Sequence, residues 1–230
     1  MKGDTEMNIL KTPWKISGIA GILFVALSFI ASGINKMPPT YNQDISTFAM
    51  WFSENGQWFR FGHCLAALAF LPFYFPFFAG FCEILKKAEG EPAIWTRVTW
   101  AGAIMSPAAG TIGGASIMGI ALLNGNASPE VSQFGLASYF YAITVSGVFA
   151  GIAMIGPAII ILKTGVFKRW LGWAGLIIGF AAFISIGTLI ENDPQGLFAT
   201  MNGFAWLAYF LWIAVLSIEM IRMPEITLKS

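Results

Sequence analysis

Six long apolar stretches separated by short polar segments dominate the chain, at 15–35, 59–85, 95–123, 133–162, 170–190 and 197–221. Each reaches the roughly 20 residues that a helix needs to cross hydrocarbon, and none has the ~10-residue alternation of a barrel strand. Lipid offers backbone amides no partner, so each stretch must satisfy its own, as a helix does. The pattern predicts an all-α integral membrane protein, a single transmembrane domain over residues 1–230 built as a six-helix bundle. The first stretch, Ile16 to Ile34, follows Lys11 and Lys15 much as a signal-peptide core would. It is longer than the roughly 7 to 15 residues of such cores, so a retained span is expected.

The one long connection, between the first two stretches, carries its own helical pattern. Ile45, Phe48, Ala49 and Phe52 stand at i, i+3, i+4 and i+7, after Asp44 as an N-cap and before Gly56 as a stop. A short amphipathic helix over about 44–55 is expected, lying along the membrane surface or capping the bundle. Trp51, Trp58 and Phe59 suit an interfacial aromatic belt, with a ligand lid as the alternative.

Charge then orients the bundle. Eleven of the thirteen basic residues flank one side of the pattern: Lys2, Lys11, Lys15, Lys86, Lys87, Arg97, Lys163, Lys168, Arg169, Arg222 and Lys229. Only Lys36 and Arg60 fall on the other. Cytoplasmic loops retain Lys and Arg, which predicts both termini in the cytoplasm.

Composition narrows the classes. With 57% apolar and 11% charged residues, the chain departs from soluble proteins, which average about 25% charged. A net charge of +1 without a basic tract gives no case for nucleic acid. Cys64 and Cys82, eighteen positions apart on one predicted helix, stand roughly 27 Å apart and cannot pair within the chain.

Candidate chemistry concentrates in the second stretch. Pro72 and Pro76 predict a kink, and Phe73, Tyr74 and Phe77 surround it with aromatic surface able either to pack or to bound a pocket for a flat apolar molecule. Arg60 and His63, one turn apart, mark its outer end. His63 is the only histidine, which excludes a bis-histidine haem or a three-histidine zinc site within the chain. A single axial ligand to haem or pigment, one copper ligand beside Cys64 or Met, and a hydrogen bond to a loop all stay open, while Arg60 is expected to snorkel to headgroups.

Small residues recur one turn apart at Gly110 and Gly114, Ala115 and Gly119, Gly147 and Gly151, and Gly175 and Gly179. Such spacing lets helices approach closely, within the chain or between copies. No ionisable Asp, Glu, Lys or Arg lies at mid-depth, which disfavours proton coupling through a carboxylate. Oxygen ligands for sodium exist in principle at Ser106, Thr111, Ser116, Thr144, Ser146, Ser185 and Thr188. Metal-ligand pairs, phosphate loops and nucleophile elbows are missing from the sequence, so no catalytic residue and no metal site is predicted.

Gly18 and Gly21 in the first stretch, Leu85-Lys86-Lys87-Ala88-Glu89-Gly90 leaving the second, and Thr164-Gly165-Val166-Phe167-Lys168-Arg169-Trp170-Leu171-Gly172-Trp173 entering the fifth carry a resemblance. Over most of its length the chain resembles a broad group of uncharacterised six-span bacterial inner-membrane proteins. Relatives often have proline at the position of Phe167 or Lys168, so the turn differs here. The resemblance implies six helices in a bacterial inner membrane. The group has no agreed activity, so no functional residue carries over.

These readings converge on a non-enzymatic accessory or scaffold subunit of a membrane complex, partnered by lipid and by another membrane protein or its own copies. The alternative is a small transporter or binding protein for an uncharged or amphipathic ligand, entering between the second, third and fourth spans. A membrane enzyme subunit completed by a partner is a third option. No cofactor is predicted, with lipid, quinone or pigment as the bound molecules to look for.

Overall fold

The computed structural model describes residues 13–123 and 126–223, apart from the side chains of Ile45 and Ala49. Lys2, Lys11 and Lys229 therefore lie outside the described residues. Eight α-helices follow in order: α1 Pro13–Ile34, α2 Ile45–Ala69, α3 Phe75–Glu89, α4 Ile94–Leu122, α5 Pro129–Thr164, α6 Arg169–Ile184, α7 Thr188–Glu191 and α8 Leu197–Arg222. A π-helical turn, Phe70–Tyr74, joins α2 to α3, and a 3₁₀ turn, Ser185–Gly187, joins α6 to α7. Among the described residues there is no strand, and six helical runs are long and apolar enough to cross a membrane.

Helix ends follow from local chemistry. Ser128 caps α5 by accepting from Val131 N, with Pro129 at the first turn where its missing N–H costs nothing. Gly90 after α3 and Gly165 after α5 take φ of 75° and 69°, a left-handed conformation that suits residues without a Cβ. Two carboxylates close the starts of later helices. Glu89 accepts from Trp95 N and Thr96 N at 2.9 Å each, and Glu191 accepts from Leu197 N at 3.0 Å and Phe198 N at 3.1 Å. Both satisfy orphan amides at the positive end of a helix dipole.

The helix expected to stop at Gly56 continues. Asp44 does cap its start, its carboxylate accepting from Ser46 N at 3.0 Å, but α2 then runs unbroken to Ala69. A glycine inside a helix costs only about 1 kcal/mol and ends one where it adopts positive φ, as Gly56 does not. What holds these turns is tertiary packing. Phe48, Phe52 and Phe59 are buried in a cluster with Ile117 and Ile120 of α4 and Leu136 of α5. At Pro72 and Pro76, where a kink is expected, the helix widens into its π turn.

The core is aromatic. Phe24 of α1, Tyr74 of the π turn, Phe77, Phe78 and Phe81 of α3, and Tyr209 and Trp212 of α8 are all buried in one cluster. Ring pairs there are tilted or edge-on, as Phe24 and Tyr74 are at 5.0 Å, with Phe77 and Phe81 stacked at 5.6 Å. α4 packs chiefly on α5, α5 on α6, and α1 on α8.

Close approach depends on glycines, though not on all those expected. Gly147, Gly151 and Gly179 each lie against a neighbouring helix with no room for a Cβ, and at Gly175 a Cβ would be tight, 3.2 Å from Ala158 Cβ and from Trp212. On α4 the contact within the chain falls on Gly113, which meets Ala142 and the Tyr139 carbonyl of α5, whereas Gly114 and Gly119 face open space. Gly110 touches only Ser146 Oγ, at 3.4 Å from an ideal Cβ. One residue along a helix turns the side by about 100°, so a pattern that fixes spacing leaves the facing side undetermined.

Candidate functional site

The two ends of the bundle differ chemically. At one, Lys87 lies over the Trp14 ring at 4.6 Å, Glu91 stands between Lys86 and Arg97, and Lys168 pairs with Glu219 at 2.8 Å. At the other, Tyr41 donates to Asn192 Oδ1 at 3.0 Å, bridging the segment after α1 to the one after α7. Partial burial raises the Tyr41 phenol above its ordinary value, and the nearby Asp193 charge adds to the effect.

Beside that bridge a cleft of about 620 Å³ enters the bundle between α5, α7, α8 and the end of α1. Met37, Tyr41, Asn192 and Pro194 rim it, while Phe140, Ile143, Trp206 and Phe210 make apolar walls. Among the described residues, no Asp, Glu, Lys, Arg or His contributes to the lining, although Thr144, Asn202 and Trp206 bring polar atoms. Thr144 is already committed, its hydroxyl donating to Phe140 O at 2.9 Å.

Asn202 is also buried on the wall, at 7% exposure, and its amide is held by the neighbouring turn. The break between α6 and α7 sets its orientation. Ser185 Oγ donates to Ala182 O at 2.6 Å and so must accept from Asn202, whose Nδ2 donates at 2.8 Å. Thr188 Oγ1 donates to Ser185 O at 2.7 Å, tying the 3₁₀ turn to α7. Neighbouring Trp206 keeps its indole Nε1 buried without a hydrogen-bond partner. Asn202 and Trp206 also line a second void of about 10 Å³ against Gly147, Ala150 and Tyr209.

The residues singled out from sequence lie elsewhere. Arg60 reaches α4, donating to the Ala121 carbonyl at 3.3 Å, where a cation is favoured by the dipole and an orphan acceptor needs a donor. His63 Nδ1 lies 3.2 Å from Asn35 Nδ2 and 3.2 Å from Phe59 O, with its ring 4.1 Å from that of Phe59. Its other ring neighbour is Tyr139 at 6.5 Å, which belongs to the cleft wall.

Tyr74 and Phe77 sit in the aromatic core, the Tyr74 hydroxyl 3.2 Å from that of Tyr209, and half-buried Phe73 packs against the same cluster. The structure thus separates the Arg60–His63 pair from Phe73, Tyr74 and Phe77, and none of the five lines the cleft. Among the described residues, no three His, Cys, Asp or Glu gather as a metal-ligand group. Sequence reasoning passed over Asn202 and Trp206. The available signal was an amide several residues inside an otherwise apolar span, a costly placement unless it has a partner.

No protein-family model matches this chain, and neither the curated proteins nor the solved structures contain a significant match.

Proposed function

We propose that this is a bacterial inner-membrane protein with both termini in the cytoplasm that binds an uncharged amphipathic molecule drawn from the lipid phase. The observation that carries the reading is the cleft. It is large enough for a sizeable ligand, walled by aromatic and aliphatic groups, free of Asp, Glu, Lys, Arg and His, and supplied with a few polar atoms. A charged ligand would enter it without a counter-charge, at a desolvation cost that nothing on the walls offsets. Orientation rests on the retention of Lys and Arg in cytoplasmic loops, here Lys86, Lys87, Arg97, Lys163, Lys168, Arg169 and Arg222.

Gly203 lines the cleft, and a Cβ there would meet nothing within 4 Å, so Gly203→Phe places a ring in the space. Native mass spectrometry of the full chain, extracted gently with its lipids, is expected to find a retained amphiphile that Gly203→Phe loses. Equal retention by parent and variant would count against the reading.

A second reading, an accessory or scaffold subunit, has its own support. Gly114 and Gly119 leave one face of α4 open, beside a shallow groove of about 580 Å³ lined by Ile112, Ser116 and Phe134. A small-residue face of this kind suits a helix of another chain. Cross-linking in native membranes from the Gly114 position should then trap a second polypeptide, and a uniformly monomeric product would remove this reading.

A further inference from the structure

We infer that the inner end of the cleft is built to receive one hydroxyl group, so that the bound molecule is a neutral membrane alcohol. The inference rests on the binding reading above and adds the identity of the headgroup.

Three features select it. Because Ser185 Oγ spends its proton on Ala182 O, the Asn202 amide must turn Nδ2 toward Ser185, which leaves Oδ1 as an acceptor to which no described residue donates. Close by, Trp206 Nε1 is a buried donor with no acceptor. A donor without an acceptor and an acceptor without a donor, on neighbouring turns of α8, are satisfied together by a group that does both jobs.

Size narrows the choice. The void that Asn202 and Trp206 share with Gly147 is about 10 Å³, close to the room that one water-sized group requires. Gly147 creates that room, since a Cβ there would lie 2.6 Å from Asn202 Nδ2 and 3.5 Å from Trp206 Nε1. A hydroxyl matches the void in size: accepting from Trp206 Nε1, it keeps a proton to offer Asn202 Oδ1, and its hydrocarbon would run out along Phe140, Ile143 and Phe210 of the cleft. An ester or quinone carbonyl only accepts, so it could serve Trp206 Nε1 but would leave Asn202 Oδ1 without a donor. A carboxylate brings two oxygens and a charge into a wall without a cation.

The test uses the full chain in lipid nanodiscs with two photoreactive probes of equal length, a diazirine-bearing long-chain alcohol and its methyl ether. Labelling is read by peptide mass spectrometry at α5 and α8, with unlabelled alcohol as competitor. The parent protein should favour the alcohol by about three- to tenfold, the range that one or two net hydrogen bonds supply. Trp206→Phe, which keeps the ring and removes the N–H, should bring the preference close to unity while ether labelling stays the same. Asn202→Leu should do likewise if it folds, and Trp206→Phe carries the test if it does not.

Equal labelling of parent by alcohol and ether, or a preference that survives Trp206→Phe, overturns the hydroxyl inference and leaves ligand binding standing; the pocket then holds an ordered water only. If neither probe labels the cleft, the binding reading falls with it.

Discussion

A Cβ on Gly151 would lie 2.6 Å from the Gly179 carbonyl oxygen, and a Cβ on Gly179 would lie 2.9 Å from the Gly151 carbonyl oxygen. α5 and α6 therefore meet backbone to backbone. Gly151→Ala or Gly179→Ala must push the helices apart, and overpacking of this kind costs about 1–3 kcal/mol. Gly114→Ala and Gly119→Ala, made on open surface, should be neutral or slightly stabilising, because alanine is the better helix former. Thermal melting in detergent separates the two pairs; equal shifts would refute the contact.

Glu89 and Glu191 each cap the helix whose backbone amides lie six and seven residues further on. Replacing either by Ala strips two amides of their acceptor and should cost about 1 kcal/mol, the typical value of a lost cap. The effect should be local. Hydrogen exchange in Glu89→Ala should rise at the start of α4 and not at α8, with the reverse in Glu191→Ala.

Asp44 carries a pH dependence whose sign can be worked out. Its carboxyl is held below the ordinary carboxylate range, first by the Ser46 backbone N–H and then by the Ser46 hydroxyl. The folded-state value is thus depressed, so the cap's contribution is complete above the unfolded value near pH 4 and is lost as pH falls through the lower folded one. Protection factors over the first turns of α2, corrected for the intrinsic pH dependence of exchange, should be flat from neutral pH down to that window and then fall. In Asp44→Asn, a neutral cap, that fall should vanish.

Much of the architecture is legible in the sequence because lipid forbids unpaired backbone: the apolar stretches had to become helices, and all but the second came out within a few residues at each end, while the second runs on from a helix that begins at Ile45. Three features were hidden for a shared reason, that they depend on which side of a helix meets its neighbour. Gly56 reads as a stop, yet Phe52 and Phe59 around it find α4 and α5 and carry the helix through. Gly114 reads as a contact within the chain or between copies, while the contact within the chain is made by its neighbour Gly113. Asn202 and Trp206 stand out only once Ser185, seventeen residues away, shows which end of the amide is occupied.

The π turn at Phe70–Tyr74 gears one long rod to two sets of partners. One extra residue in a helical repeat rotates everything beyond it by about 100° relative to everything before. Below the turn Phe48, Phe52 and Phe59 address α4 and α5; above it Tyr74, Phe77 and Phe81 address α1 and α8. A chain one residue shorter there would keep its hydropathy and its charge map, yet one of those two sets of rings would be aimed at lipid. Phase along this rod, more than composition, is what commits the sequence to this particular bundle.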